Sequence, residues 1–263
     1  MGTAKRVAVL LSIYLSWASA DQTQTIKSPG EPFSKKRTIF KKKKKSVLEL
    51  RPFTNENGSK EIWVQGRSRE TVQHWAGLID DFLQPYRSQN ASADSTIHQC
   101  GNNPPPENGV CEVDVSSFGP CNPQSHYGYT DSPCIFLRLN NVPNGWMPEF
   151  YNDSYIPEKM PYVLRHHIWK EKQKGNTNRV WVSCKGNYAP DAEFIGSVKY
   201  YPEQAFPSHY FGASGKKNFL SPLVAVHFER PRNGVVINVW CTAWAANIPY
   251  ELGTINFDLM LDS

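Results

Sequence analysis

The sequence is poor in the signatures of a catalyst. It has no C-x-x-C pair, no H-E-x-x-H and no G-x-S-x-G, which sets aside a zinc site of the usual spacing, a zincin and an elbow-type serine hydrolase. After the first twenty residues it has no uninterrupted apolar run near the roughly 20 residues that a membrane-spanning helix needs. It has no repeat at a fixed period. A net excess of positive charge is confined to one block: Lys35, Lys36, Arg37 and Lys41 to Lys45 account for the net +5, and without them the balance is close to neutral. A block of this kind reads as a solvated tail rather than a nucleic-acid footprint, so no nucleic-acid partner is expected.

The remaining near-matches to chemistry are weak. "GASGKK" from Gly212 is two residues too short between its glycines for a phosphate loop, and Lys217 stands where a magnesium-binding Ser or Thr belongs. Asp80 and Asp81 are adjacent on a helical pattern, so their carboxylates diverge and read as a solvated face. His166 and His167 are likewise adjacent and read as surface residues. No cofactor or metal is expected, and no catalysis.

What the chain does carry points to the secretory route. Lys5 and Arg6 precede an apolar run from Val7 to Trp17, and Ala18-Ser19-Ala20 reads as a small-x-small cleavage site. This is the layout of a signal peptide over residues 1–20, cleaved or kept as a short anchor, followed by a basic linker over 21–45. Six cysteines, Cys100, Cys111, Cys121, Cys134, Cys184 and Cys241, agree with an oxidising compartment, and spacing alone leaves their pairing open. Three sequons begin at Asn57, Asn90 and Asn152, each in a polar stretch suited to a glycan.

Over 46–263 the pattern predicts a mainly β domain. Val72, Trp75, Ala76, Ile79, Phe82 and Leu83 make one apolar helical stripe, capped by Ser68 and stopped by Pro85. It is the one clear amphipathic helix. "CIFLRLNNV", "NRVWVSC", "PLVAVHFERP" and "GTINFDLML" alternate as strands do, while "VVINVWCTAWAA" is apolar on both sides, as in a central strand. The expected architecture is an antiparallel sheet packed by another sheet and one helix.

The stretch "CEVDVSSFGPCNPQSHYGYTDSPCIFLRLNNV" resembles the cysteine-rich ectodomain segment of the beta subunits of the Na,K-ATPase and H,K-ATPase. "VSCKG", "YFGASGKKNFLSPLVAVHF" and "VWCTAWAANIPY" follow in that family's order, and the resemblance runs from about Ser46 to Ser263. It implies an immunoglobulin-like sandwich and sequential disulfides, Cys100–Cys111, Cys121–Cys134 and Cys184–Cys241. It also implies a non-catalytic subunit that assembles, stabilises and delivers the catalytic alpha subunit of a P-type sodium/potassium pump at the cell surface. The family's aromatic contact run aligns with Tyr210, Phe211, Gly212, Gly215 and Lys216, with Ala213 and Ser214 in place of two tyrosines. Where the family carries a cytoplasmic tail and a long anchor helix, this chain has its short leader. Membrane association is therefore expected through the partner or a short N-terminal anchor, facing outward. A secreted or cell-surface adhesion module with the same fold and no pump partner is the alternative expectation.

Overall fold

Two β-sheets face each other, and each carries a helix on its outer side. The computed structural model describes residues 46–52, 60–89, 94–151 and 156–262; the leader, the lysine block and all three sequon asparagines lie outside them. The four-stranded sheet runs β1 (Leu48–Arg51), β5 (Cys134–Leu139), β9 (Leu223–Glu229), β7 (Ser197–Tyr201), antiparallel throughout. The five-stranded sheet runs β2 (Glu61–Gln65), β11 (Thr254–Asp262), β10 (Val236–Trp244), β6 (Arg179–Gly186), β8 (Ala205–Pro207). The expected sandwich is present, antiparallel except where β2 joins β11 in parallel at the edge. Two further residues of strand, β3 (Ile97–His98), pair in parallel with β4 (Val110–Cys111).

Alternation along the strands builds the core. Ile135 and Leu137 oppose Val226 and Val224, and Phe228 of the same face meets Phe257 of the other sheet at 6.2 Å between ring centroids. The other face of β5 is also buried, which its apolar/polar alternation does not announce. Helix α1 (Arg69–Arg87) lies there, and Phe136 sits among Phe82, Phe118 and Tyr127. Ser68 caps α1 by accepting from the Thr71 amide at 3.3 Å. Pro85 does not stop the helix as predicted. Its missing N–H takes one helical bond from the Asp81 carbonyl, at an exposed position, while the Ser88 amide still donates to the Gln84 carbonyl at 3.1 Å.

Asp80 is not simply solvated either: it accepts from the Tyr127 hydroxyl at 2.6 Å and pairs with Arg87 at 2.8 Å, pinning the turn Pro123–Gly128 to α1. His227, on the other side of β9 from Val224, Val226 and Phe228, is buried opposite Cys134.

A second helix, α2 (Tyr162–Gln173), covers the outer face of the five-stranded sheet. Leu164 and Ile168 pack with Met160 on Trp181 and Trp244, which point away from the sandwich interior. His166 is exposed and stacks on Trp169, whereas His167 is half-buried, edge-on to Trp181. Two short helices complete the fold, α3 (Ala189–Phe194) and α4 (Tyr250–Gly253).

Candidate interaction surface at the end where the chain enters the fold

One end of the sandwich is built almost wholly of loops. β1 begins there, opposite the end of β5, and β10 ends there opposite the start of β6. Ser46 and Val47, the first described residues, are tied into it. The Val47 amide donates to the Leu252 carbonyl at 2.8 Å, and the Val47 carbonyl accepts from Asn140 at 2.7 Å. Nearby on β1, Glu49 takes two bonds from Arg138, at 3.0 and 3.1 Å. Burial works against its carboxylate, yet the Arg138 bonds and the charges of Arg138 and Arg51 hold its pKa below the ordinary value.

The segment singled out by its aromatics, 208–216, closes this end as a tight turn of 3-10 type over Ser208–Ala213. A period of three residues decides which side chains face in. Ser208, Phe211 and Ser214 are all buried. Phe211 packs edge-on against Trp146 at 5.3 Å, so its ring offers no outer surface of this chain. Ala213 is buried in a small cluster with Ile97 and Val110.

Ser214 is a structural knot. Its hydroxyl donates to the Pro143 carbonyl at 2.8 Å and accepts from the Trp146 amide at 3.2 Å, and its carbonyl accepts from Gly145 at 2.8 Å. Tyrosines at 213 or 214 would therefore have to be forced into filled space, an overpacking that costs about 1–3 kcal/mol. What remains for a partner is narrower: half-buried Tyr210 with exposed Gly212, Gly215 and Lys216.

These four are well positioned. The Tyr210 hydroxyl donates to the Glu112 carbonyl at 3.0 Å, and burial pushes its pKa up to about 12. Lys216 Nζ donates to the Glu107 carbonyl and reaches that of Gly109 at 3.5 Å, bridging to the Cys100–Cys111 loop. Gly215 has φ +87°, and a Cβ there would lie 2.3 Å from the Asn144 side chain, so only glycine fits. A shallow groove lined by Asn140, Asn141, Gly215 and Phe219 runs beside them. The surface has the makings of a protein interface, a rigid aromatic and a cation on a fixed loop frame.

The six cysteines form three bridges: Cys100–Cys111, Cys121–Cys134 and Cys184–Cys241. The first joins β4 to the loop after β3, the second ties the Pro123–Gly128 turn to β5, and the third links opposed residues of β6 and β10.

His209 stands next to Tyr210 with its ring 4.5 Å away, and its Nε2 is buried without a hydrogen-bond partner among the described residues. Burial, with the nearby charge of Arg179, lowers its pKa; burial also lowers that of His227. Both imidazoles are thus held neutral in the fold while the unfolded chain takes up protons near its ordinary pKa of about 6.5. The stability they permit is complete above that value and is lost as pH falls toward the depressed folded values. Urea unfolding across that range is expected to show a falling midpoint, and the His209→Gln/His227→Gln double variant a flatter one. An equally steep fall in the double variant would place the proton uptake elsewhere.

Two facing sheets, a helix on each outer side and three disulfides define a disulfide-bonded β-sandwich domain. The family model for the sodium/potassium ATPase beta chain matches residues 33–257, and the chain belongs to that family. It is 40% identical over 212 residues to sodium/potassium-transporting ATPase subunit beta-2 of Drosophila melanogaster, covering 76% of this chain and 65% of that protein. To subunit beta-1 of the same species it is 37% identical over 227 residues, covering 82% and 70%. To the human beta-2 subunit it is 28% identical over 217 residues, covering 76% and 64%. The chain thus spans about two thirds of the length of the curated relatives it matches. No helix among the described residues is long and apolar enough to cross a membrane.

Proposed function

We propose that this chain is a non-catalytic beta-type subunit of a P-type sodium/potassium-transporting ATPase. Its ectodomain would face outward at the cell membrane, reached by the secretory pathway, with its sequons at Asn57, Asn90 and Asn152 glycosylated. Its work would be the assembly, stability and surface delivery of the catalytic alpha subunit. The observation that carries the reading is the family match across residues 33–257. The loop-built end supports it, because the described residues begin there at Ser46 and the Tyr210–Lys216 surface lies at the same end.

In this reading Tyr210, Gly212, Gly215 and Lys216 touch the alpha subunit, and Phe211 holds the turn that presents them. Of the disulfides, Cys100–Cys111 bears on this surface, because Lys216 bridges to the loop it closes and that loop has few strand hydrogen bonds of its own.

The test is co-expression of the chain with a sodium/potassium-pump alpha subunit in cells that lack other beta subunits. Surface-labelled alpha is expected to rise several-fold over alpha alone, and alpha to be recovered with the chain. Lys216→Glu is expected to weaken that recovery about tenfold, short of a full interface hot spot, with the sandwich still folded although the bonds to the Glu107 and Gly109 carbonyls are lost. Chain found only in the medium, with surface alpha unchanged, would instead mark a secreted binding module.

A further inference from the structure

Helix α2 leaves a broad face uncovered. Leu164 and Ile168 turn toward the sheet, and the opposite side presents Tyr162 at 78% exposure, Val163 at 77% and Trp169 at 58%. Trp169 also borders a cleft floored by Met160, Trp181 and Trp244. Large side chains exposed together on one helix face mark a surface with a partner rather than the scattered apolar residues of any protein.

Charge and position say which partner. Lys159, Arg165, Lys170 and Lys174 surround this face; of the nearby acids Glu158 and Glu171, Glu171 is held by Lys174 at 2.7 Å and Asn176 at 2.7 Å. Lys159 is set over the Tyr250 ring at 4.4 Å. Tyr250 opens α4, whose Leu252 binds the Ser46 hydroxyl at 3.1 Å and the Val47 amide at 2.8 Å. The aromatic face therefore borders the end at which the described residues begin, at Ser46. Tryptophan and tyrosine on one helix side, flanked by lysines, is the composition that settles at the boundary between phospholipid headgroups and acyl chains. A sulfated polysaccharide would use the cations but leave Tyr162 and Val163 without a role.

We propose that the exposed face of α2 rests on a phospholipid surface. Tyr162, Val163 and Trp169 enter the headgroup layer, and Lys159 and Lys170 meet its phosphates. The contact would hold the ectodomain's tilt, and it stands whether or not an alpha subunit is bound.

Flotation of the whole purified chain with phosphatidylcholine vesicles, with and without phosphatidylserine, tests this. The comparison is with Tyr162→Ser/Trp169→Ser, which keeps the lysine block; both side chains are exposed, so the fold is expected to survive. The double variant is expected to partition about tenfold less into both kinds of vesicle. Phosphatidylserine is expected to strengthen binding of both proteins, since it adds charge for the lysine block as well. Equal flotation of wild type and variant overturns the proposal, as does a wild-type chain that ignores vesicles but is retained on heparin. As a second reading, lipids brominated on the acyl chain are expected to quench tryptophan emission in the wild type and less in Trp169→Phe. Identical quenching would also overturn it. Neither result bears on alpha-subunit capture, so the two readings fail separately.

Discussion

Replacing Cys184 and Cys241 together by alanine is expected to remove about 4 kcal/mol of stability, against about 3 kcal/mol for the Cys100/Cys111 pair, by the loop-entropy relation. The difference follows from the chain each bridge closes, 57 residues for the first pair and 11 for the second. A longer closed loop denies the unfolded chain more conformations. Position adds to the effect. Cys184 and Cys241 are directly opposed on β6 and β10, inside the five-stranded sheet, with Val182 and Ala243 as the next inward-facing pair and Val239 opposite Gly186. Both are buried in the main core, so removal of two sulfurs also leaves a small void. Two residues on, Gly186 is covered closely by α3: a Cβ there would meet the Ala192 nitrogen at 2.2 Å. Denaturant unfolding of the two double variants, each with its other bridges intact, checks the order. Equal midpoints, or a larger loss at Cys100/Cys111, would mean that local strand pairing rather than chain restriction sets the contribution.

Much of this sandwich was legible because its strongest elements are local in their chemistry. The stripe from Val72 to Leu83 needs no partner to read as a helix face, and β11 declares its inner side through Phe257, Leu259 and Leu261. β10 read as central because it is apolar on both sides, and it lies in the middle of its sheet. Helix α2 escaped notice for the opposite reason. It buries only Leu164 and Ile168, starts at Pro161 without a side-chain cap, and shows its aromatics to the outside. β2 was passed over although Ile62 and Val64 alternate with exposed Glu61 and Trp63, because five residues carry little signal. Asp80 looked solvated because its partner Tyr127 is 47 residues away.

The aromatic segment was the hardest to read. Whether Phe211 faces out or in depends on a three-residue period that Trp146, Ile97 and Val110 impose from distant parts of the chain. Residue type singles out the stretch; only the turn sorts its buried residues from its exposed ones.

That sorting makes Phe211→Ala the other large effect, a loss of about 3–5 kcal/mol, because a fully buried ring leaves a cavity that a loop-built end closes only in part. The substitution should act on function through position. Without the ring against Trp146, the turn over Ser208–Ala213 loses the contact that fixes its height, and Ser214 loses the frame for its bonds to Pro143 and Trp146. Gly212, Gly215 and Lys216 would then no longer share one surface. Phe211→Leu, which refills most of the volume, is expected to recover most of the stability.

Lys216→Gln is the counterpart. It removes the charge and the bonds that Nζ gives the Glu107 and Gly109 carbonyls at an exposed site, so stability should fall by about 1 kcal/mol, well short of the Phe211→Ala loss. Thermal unfolding measured beside alpha-subunit capture separates the roles. If Phe211 is an anchor and Lys216 a contact, Phe211→Ala lowers both readings strongly, Phe211→Leu restores both, and Lys216→Gln lowers capture far more than stability. A stable Phe211→Ala protein that still loses capture would mean that the ring swings out to meet the partner, and the turn would then be a moving part of the interface rather than its frame.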